Sequence, residues 1–142
     1  MSKQLLKRAF QFCLDNGHRL TEPRKRVLEA IASSKKPIKA YEVLKKLSIS
    51  LNRPKPPTAY RALEFWQTHN FIHRIESLNS YFICKTNHPH KGAQYMICNK
   101  CGEVIESHIC EIPQVIVENL KKESFAPSSW NLEVSGTCSQ CT

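Results

Sequence analysis

Four cysteines stand in two closely spaced pairs, and this spacing is typical of a metal site. Cys98 and Cys101 form one C-x2-C pair, and Cys138 and Cys141 form the other. Two intervening residues let both thiolates of a pair point at one ion, while Gly102 permits a tight turn after the first pair. Redox-active thiols are the alternative, but such a pair usually follows a strand and opens a helix, which neither pair is predicted to do. We therefore predict a structural zinc site that ties the C-terminus back to the first pair.

A second set of metal-binding side chains is spread over the middle of the chain. Its members are His73, Cys84, His88, His90 and Glu106. A thiolate, a carboxylate and two imidazoles carry a charge of about −2, which would neutralise a zinc ion, and the thiolate favours zinc over iron or manganese. Spacing alone leaves an alternative open, in which the cysteine is a small core residue and the other side chains are solvated.

The segment KPPTAYRAL, residues 55–63, is the part of the chain most suited to reading DNA. Thr58, Tyr60 and Arg61 lie near the start of a predicted helix. Arginine can form a bidentate contact with guanine, and tyrosine can pack on thymine methyl groups or bond a phosphate. The alternatives are core packing for the tyrosine and a solvated charge for the arginine. Further basic residues would bind phosphates without reading sequence, namely Lys55, Arg19, Arg24, Lys25, Lys36 and Lys39.

The elements before this segment are predicted to be helices. Apolar residues recur at helical spacing over 5–14, 27–31 and 40–47, which predicts three helices. Cys13 lies on the apolar face of the first helix, and Thr21 is a good N-cap for the second. A fourth helix is predicted over Thr58–His69, with proline tolerated in its first turn.

The period then changes to that of strands. A hairpin is predicted from Phe71–Glu76 and Tyr81–Cys84, around the turn 77–80. Helices followed directly by a hairpin describe a winged helix-turn-helix, which places a helix in the major groove of DNA. We assign residues 1–84 to this domain.

The rest of the chain has a different character. A hinge is predicted at 85–92, and a small α/β domain follows at 93–142 with strands at 95–98, 104–107 and 130–135 and a helix at 113–122. The fold class is therefore α+β. Strand edges and apolar surface in so small a unit would be most easily buried by a second copy of the chain.

Charge divides the chain in the same way. Residues 1–84 contain 16 Lys and Arg against 6 Asp and Glu, a net charge of +10, whereas residues 85–142 contain 5 against 6, a net charge of −1. This asymmetry favours a polyanion-binding half joined to a half with another task. Neither a signal-peptide pattern nor an apolar run near the ~20 residues of a membrane span is recognised, so a cytoplasmic location is expected.

Together these motifs make the chain resemble the ferric uptake regulator family over nearly its whole length. The resemblance rests on Arg19-Leu20-Thr21, the segment 55–63, the hairpin segments 71–77 and 79–84, and Cys98-x2-Cys101-Gly102. Within the family, the chain is most similar to the zinc-sensing branch. The resemblance implies a homodimeric repressor that binds double-stranded operator DNA and uses zinc as corepressor. We expect two zinc ions per monomer, no association with a membrane and no small-molecule substrate.

The resemblance also assigns the metal residues. It places the structural site on the four paired cysteines and the regulatory site on His73, Cys84 and Glu106. The resemblance leaves the remaining histidine open between His88 and His90; His90 is preferred because it is nearer the following strand, with His88 as its substitute. His108 and Cys110 could form an auxiliary site.

Three other functions compete with this reading. A sensor of iron, manganese or peroxide could share the fold, and a general nucleic-acid-binding zinc protein could lack any sensing. An enzyme with His73 and Glu106 as acid and base is disfavoured, because the sequence carries no signature of a substrate pocket. We therefore expect no enzymatic activity.

Overall fold

In a computed structural model, the chain is described over residues 2–50, 55–85, 91–107, 109 and 111–142. It divides into two compact units, Met1–Lys85 and Thr86–Thr142. Among the described residues, no helix combines the length and the apolar character that crossing a membrane requires.

Four helices make up most of the first unit. They are α1 (Ser2–Asp15), α2 (Glu22–Ala32), α3 (Ala40–Ser50) and α4 (Pro56–Thr68). The predicted cap is confirmed, because the Thr21 hydroxyl accepts a hydrogen bond of 3.4 Å from the Arg24 backbone N–H. Helix α4 begins two residues before the predicted start, since Pro56 and Pro57 occupy its first turn, where no backbone N–H is needed.

A three-stranded antiparallel sheet completes the first unit. Its strands are β1 (Ile38–Lys39), β2 (Ile72–Ile75) and β3 (Ser80–Ile83), in the order β1-β3-β2. The hairpin β2–β3 is the predicted wing, and Asn79 turns it with a left-handed backbone, φ 46°. The sequence did not predict β1, because two residues are too few to show an alternating pattern.

The core of the first unit lies between the helices and this sheet. Val27 and Leu28 of α2, Val43 of α3 and Trp66 of α4 are fully buried there. Cys13 belongs to the same core, as predicted. Burial of the Trp66 face of α4 leaves the opposite face of that helix in solvent.

The second unit is built on a mixed sheet. Its strands are β4 (Gly92–Cys98), β5 (Val104–Ser107) and β6 (Trp130–Gly136), in the order β5-β4-β6, and α5 spans Gln114–Lys122. Strand β4 pairs antiparallel with β5 and parallel with β6. Strand β4 starts at Gly92, the last residue of the predicted hinge, and is longer than the predicted strand.

One face of this sheet carries an exposed apolar row. Met96 pairs with both Ile105 and Val134, so the three side chains lie side by side across the strands. They are 40%, 45% and 48% exposed, whereas Tyr95 on the opposite face is buried.

Candidate metal centres and nucleic-acid interface

The four predicted zinc ligands converge in the second unit. The sulfur atoms of Cys98, Cys101, Cys138 and Cys141 all lie within 4.8 Å of one another. The sulfurs of Cys101 and Cys138 lie 3.7 Å apart. Cys98 is buried and the other three are half-buried. Four sulfurs at these separations match the donor set of a closed tetrahedral zinc site.

Parallel pairing of β4 with β6 brings the two C-x2-C pairs together. Cys98 ends β4 opposite Gly136, which ends β6, and the Asn99 N–H donates to the Gly136 carbonyl at 2.8 Å. The chain then continues from Gly136 for two residues to Cys138, whose N–H lies 3.4 Å from the Cys98 sulfur. Sheet registration therefore places the C-terminal pair beside the first pair.

Each pair is held in a turn and not at the start of a helix, as predicted. The Gly102 N–H donates to the Cys98 carbonyl at 2.9 Å, and Gly102 adopts a φ of 73° that suits glycine. The Cys141 N–H donates to the Cys138 carbonyl at 3.0 Å. Lys100 adds a link between the pairs, because its Nζ donates to the Cys141 carbonyl at 3.0 Å.

Electrostatics in the cluster favour a bound cation. Backbone hydrogen bonds from Cys101, Cys138 and Lys100 lower the pKa of Cys98 to about 6, so that thiol ionises readily. Contact with the sulfurs of Cys138 and Cys101 raises the pKa of Cys141 to about 12, since neighbouring sulfurs oppose a further negative charge. A divalent ion among the sulfurs removes that opposition, so the residues present fit zinc.

Two residues of the second predicted metal site meet in the first unit. His73 lies on β2, and Cys84 directly follows β3, where its N–H donates to the Phe71 carbonyl at 2.9 Å. An imidazole nitrogen of His73 lies within 4.8 Å of the Cys84 sulfur. Cys84 is buried and His73 is half-buried, so the pair offers one nitrogen and one sulfur donor to a zinc ion.

The other residues predicted for that site belong to the second unit. Glu106 is half-buried on β5, where it pairs with Tyr95 of β4. His88 and His90 lie outside the described residues, as do His108 and Cys110. The assignment of Glu106 and of either histidine to the regulatory site therefore stays a prediction.

The N-terminal half of α4 presents the residues predicted to read DNA. Tyr60 is 54% exposed and Arg61 is exposed, while Ala59 and Ala62 face the core. Tyr60 is therefore not a core residue, which was the alternative for it. Thr58 is half-buried in the first turn, and the exposed Lys55 is the N-cap.

The remaining predicted phosphate contacts lie elsewhere in the first unit. Arg19 and Lys39 are exposed, on the α1–α2 loop and on β1. Arg24 on α2 is only half-buried, and its guanidinium lies over the Phe65 ring of α4 and donates to the Arg19 carbonyl. The structure therefore gives Arg24 protein contacts that sequence reasoning did not anticipate.

Sequence reasoning also missed an aromatic cluster around Phe65. The rings of Phe12, His18 and His69 contact one another, with centroids 4.9 to 5.9 Å apart. The centroid of the Phe65 ring lies 4.6 Å from that of His69 and 5.2 Å from that of His18. The i, i+4 spacing of Phe65 on α4 and His69, which is the C-cap of that helix, was the available signal.

One histidine in this cluster, His69, has a lowered pKa. Burial lowers the pKa of His69 below its ordinary value, and electrostatic interactions with His18 and Arg24 lower it further.

Comparison with known proteins places the chain among metal-dependent regulators. The model of the ferric uptake regulator family matches residues 15–135. The zinc uptake regulation protein of Escherichia coli (strain K12) is 33% identical over 141 residues, which cover 99% of this chain and 82% of that protein. A ferric uptake regulation protein of Vibrio cholerae is 30% identical over 127 residues, covering 87% and 83%.

Two solved structures are similar over almost the whole chain. One is described as a zinc uptake regulator complexed with zinc and DNA; it has a TM-score of 0.91 and 32% identity, with 99% of this chain and 95% of that chain covered. The other, holo XcZur, has a TM-score of 0.82 and 32% identity, with 99% and 98% covered.

Proposed function

The chain belongs to the ferric uptake regulator family, and from that premise we propose that it is a zinc-responsive transcriptional repressor. It binds operator DNA as a homodimer when zinc occupies a regulatory site, and it controls genes of zinc uptake. The single observation that carries the choice of zinc is the Cys84 sulfur beside the His73 imidazole at the base of the wing. A thiolate and an imidazole are ligands typical of zinc, whereas iron(II) and manganese sensors rely more on oxygen ligands.

Zinc at the four-cysteine cluster has a structural role in this proposal. Its four sulfurs fill the tetrahedral coordination sphere of one zinc ion. This closed arrangement is typical of a permanently bound structural ion. Zinc binding by the chain thus involves two ions per monomer, one permanent and one sensed. The sensed ion is held by His73, Cys84, Glu106 and His90, with His88 as the substitute for His90.

The proposed switch follows from where these ligands lie in the sequence. His73 belongs to the wing and Cys84 directly follows it, whereas Glu106 and the histidine belong to the sequence range of the second unit. The divalent charge of a zinc ion would attract the ligand atoms of all four residues. Ligands from both units then restrict the orientation of the recognition helix α4 relative to its twin in the dimer.

The energetic requirement of such a switch is known. To convert mostly inactive protein into mostly active protein, zinc must bind the active arrangement about 5.5 kcal/mol more favourably than the inactive one. Linkage requires that operator DNA tighten zinc binding by the same factor as zinc tightens DNA binding.

The second unit supports the homodimer. The row formed by Met96, Ile105 and Val134 exposes apolar side chains across three adjacent strands. Burial of this row against a second copy would gain hydrophobic free energy and join two recognition helices in one dimer.

The proposal is tested by metal content and DNA affinity together. The DNA probe is a duplex selected from a random-sequence library by the purified protein in the presence of zinc. Wild type is expected to hold two zinc ions per monomer, to lose one to a mild chelator, and to lose its DNA affinity with that ion. Cys84→Ala should hold one ion and should not respond to zinc.

A matched cysteine variant serves as control. Cys13→Ala removes a buried thiol of the first unit that is not a predicted ligand, so it should retain two ions and the zinc response. One tightly held ion in wild type, or DNA affinity that ignores zinc, would contradict the proposal and favour a nucleic-acid-binding protein with structural zinc only.

Iron or manganese sensing is the second candidate, because a ferric uptake regulation protein is also 30% identical. Competition on the protein stripped of its labile metal separates the two. Zinc should displace iron(II) and manganese(II) from wild type and restore DNA binding at the lowest free concentration. Restoration by iron(II) at a lower free concentration than zinc would assign the chain to iron.

A further inference from the structure

We propose that Arg24 is a positioning residue, which holds the α1–α2 loop against the recognition helix α4 and presents Arg19 to DNA. The inference rests on the proposed function, since it concerns how the same DNA-binding surface is built. It replaces the prediction that Arg24 itself binds a phosphate.

The side chain of Arg24 links two elements at once. Its guanidinium carbon lies 3.6 Å from the centroid of the Phe65 ring on α4, which is the distance of direct stacking. Its Nη1 donates a hydrogen bond of 2.7 Å to the carbonyl of Arg19 in the loop. One planar group is therefore fixed by a ring below it and by an oxygen in the loop.

The backbone of Arg24 makes the same connection. The indole N–H of Trp66 on α4 donates to the Arg24 carbonyl at 2.8 Å, and Trp66 is fully buried. The Arg24 N–H donates to the Thr21 hydroxyl, which caps α2. Arg24 thus contacts the α1–α2 loop and α4 through both its side chain and its main chain.

These contacts require arginine and not merely a positive charge. A guanidinium is planar, stacks on an aromatic face and directs several N–H groups sideways, whereas an ammonium is a strongly hydrated point charge. Lysine at this position would keep the charge but would not stack and donate to Arg19 at the same time. A residue that served only to attract phosphate would tolerate lysine.

Arg19 is the residue whose backbone these contacts of Arg24 hold in place. Its carbonyl is held by Arg24 while its own side chain is exposed. A fixed backbone reduces the conformational entropy that Arg19 loses when it contacts a phosphate, so an anchored loop binds DNA more tightly than a loose one.

The test is a set of single and double variants of the full-length, zinc-loaded protein. The probe is the duplex selected from a random library, and affinity is measured well below the unfolding temperature. Arg24→Lys and Phe65→Leu are each expected to weaken binding about tenfold, with the double variant no weaker than either one. Phe65→Tyr keeps an aromatic platform and should bind like wild type.

A second cycle tests whether Arg24 acts through Arg19. Arg19→Gln should weaken binding, and Arg24→Lys added to Arg19→Gln should have little further effect. Zinc content and unfolding temperature of every variant are recorded, so that the affinity refers to folded, loaded protein. If Arg24→Lys fails to fold, the comparison of Phe65→Leu with Phe65→Tyr decides the question.

Wild-type affinity in Arg24→Lys or in Phe65→Leu would overturn the inference. So would an effect of Arg24→Lys that stays undiminished beside Arg19→Gln, since Arg24 would then contact DNA itself. Failure of the proposed function has a different signature, because wild type would then bind the duplex equally with and without zinc, whereas the effects of the Arg24 and Phe65 variants are measured relative to wild type under one condition.

Discussion

The sulfur atoms of Cys101 and Cys138 lie 3.7 Å apart, although 37 positions separate the two residues in the sequence. Parallel pairing of β4 with β6 creates this proximity, because it sets Cys98 beside Gly136 at the same end of the sheet. Zinc at the cluster would therefore stabilise the same contact that the pairing of β4 with β6 creates. It also closes a long segment of the second unit, which lowers the conformational entropy of the unfolded chain.

Loss of one cluster ligand is expected to unfold the second unit. Structural zinc in small peptides contributes about 10–16 kcal/mol, which is comparable to the whole stability of a domain. Cys138→Ser should therefore lose one zinc ion and elute as monomer or aggregate in size-exclusion chromatography with light scattering. Ser139→Ala changes an exposed residue of the same turn and should behave like wild type. A zinc-loaded dimer of Cys138→Ser would contradict the structural role.

Residues at the start of α4 should divide into those that read sequence and those that bind phosphate. Arg61→Ala is expected to cost about 1–3 kcal/mol and to relax preference at one base position. Lys55→Ala should weaken all duplexes alike and reduce the slope of log affinity against log salt by about 0.9 per contact.

These changes are measured by fluorescence anisotropy over a salt series, with the selected duplex and with single-base variants of it. Gln67→Ala, exposed near the other end of α4, is the control and should leave both quantities unchanged. Equal weakening of every duplex by Arg61→Ala would show that Arg61 binds phosphate and does not read a base.

Gly92 is expected to tolerate no side chain. It pairs with Trp130 across β4 and β6, and a Cβ atom added there would overlap the Trp130 indole. Gly92→Ala should destabilise the second unit by about 1–3 kcal/mol, measured by thermal unfolding at a fixed free zinc concentration. Gly136→Ala is the matched control, since nothing lies within 4 Å of its added Cβ atom. Equal effects of both substitutions would contradict the predicted overlap.

Stability of the first unit should fall in mild acid because of His69. Burial, together with His18 and Arg24, lowers the pKa of His69 in the folded state below the ordinary value of 6.5. The unfolded chain then binds more protons, so this contribution to stability is complete above pH 6.5 and is lost as the pH falls towards the folded pKa.

The measurement compares wild type with His69→Gln by thermal unfolding between pH 7.5 and pH 5.5. Zinc ligands are the same in both proteins, so the difference between their pH profiles isolates His69. Wild type should lose more stability than the variant over this range. Identical losses would show that His69 does not contribute to the pH dependence.

Local patterns in the sequence predicted much of the fold. Thr21 caps α2 as its residue type indicates, and the apolar spacing located every described helix to within a few residues. The first C-x2-C pair lies in a turn, as Gly102 predicted, and neither pair opens a helix. The exposed face of α4 came from the structure, because burial of Ala59, Ala62 and Trp66 turns Tyr60 and Arg61 outward, whereas the sequence had left core packing open for Tyr60.

Long-range pairing was beyond those patterns. Strand β1 has only two residues and exists because Ile38 and Lys39 meet the edge of β3. The sequence showed β6 as a strand but not its parallel partner, since a period of two fixes which residues share a face and not which strand lies beside them.

The sequence by itself determined the residue types on which the predicted chemistry depends: four paired cysteines, a histidine with a further cysteine, and a basic segment predicted to bind DNA. Those properties depend on residue type and short spacing. The tertiary structure decided which groups meet. It brought the C-terminal cysteines to the end of β4, and it laid the Arg24 guanidinium on Phe65, where the sequence had predicted a phosphate contact. The reason is physical, because a stacking partner 41 positions away is chosen by packing of α2 on α4 and leaves no local pattern.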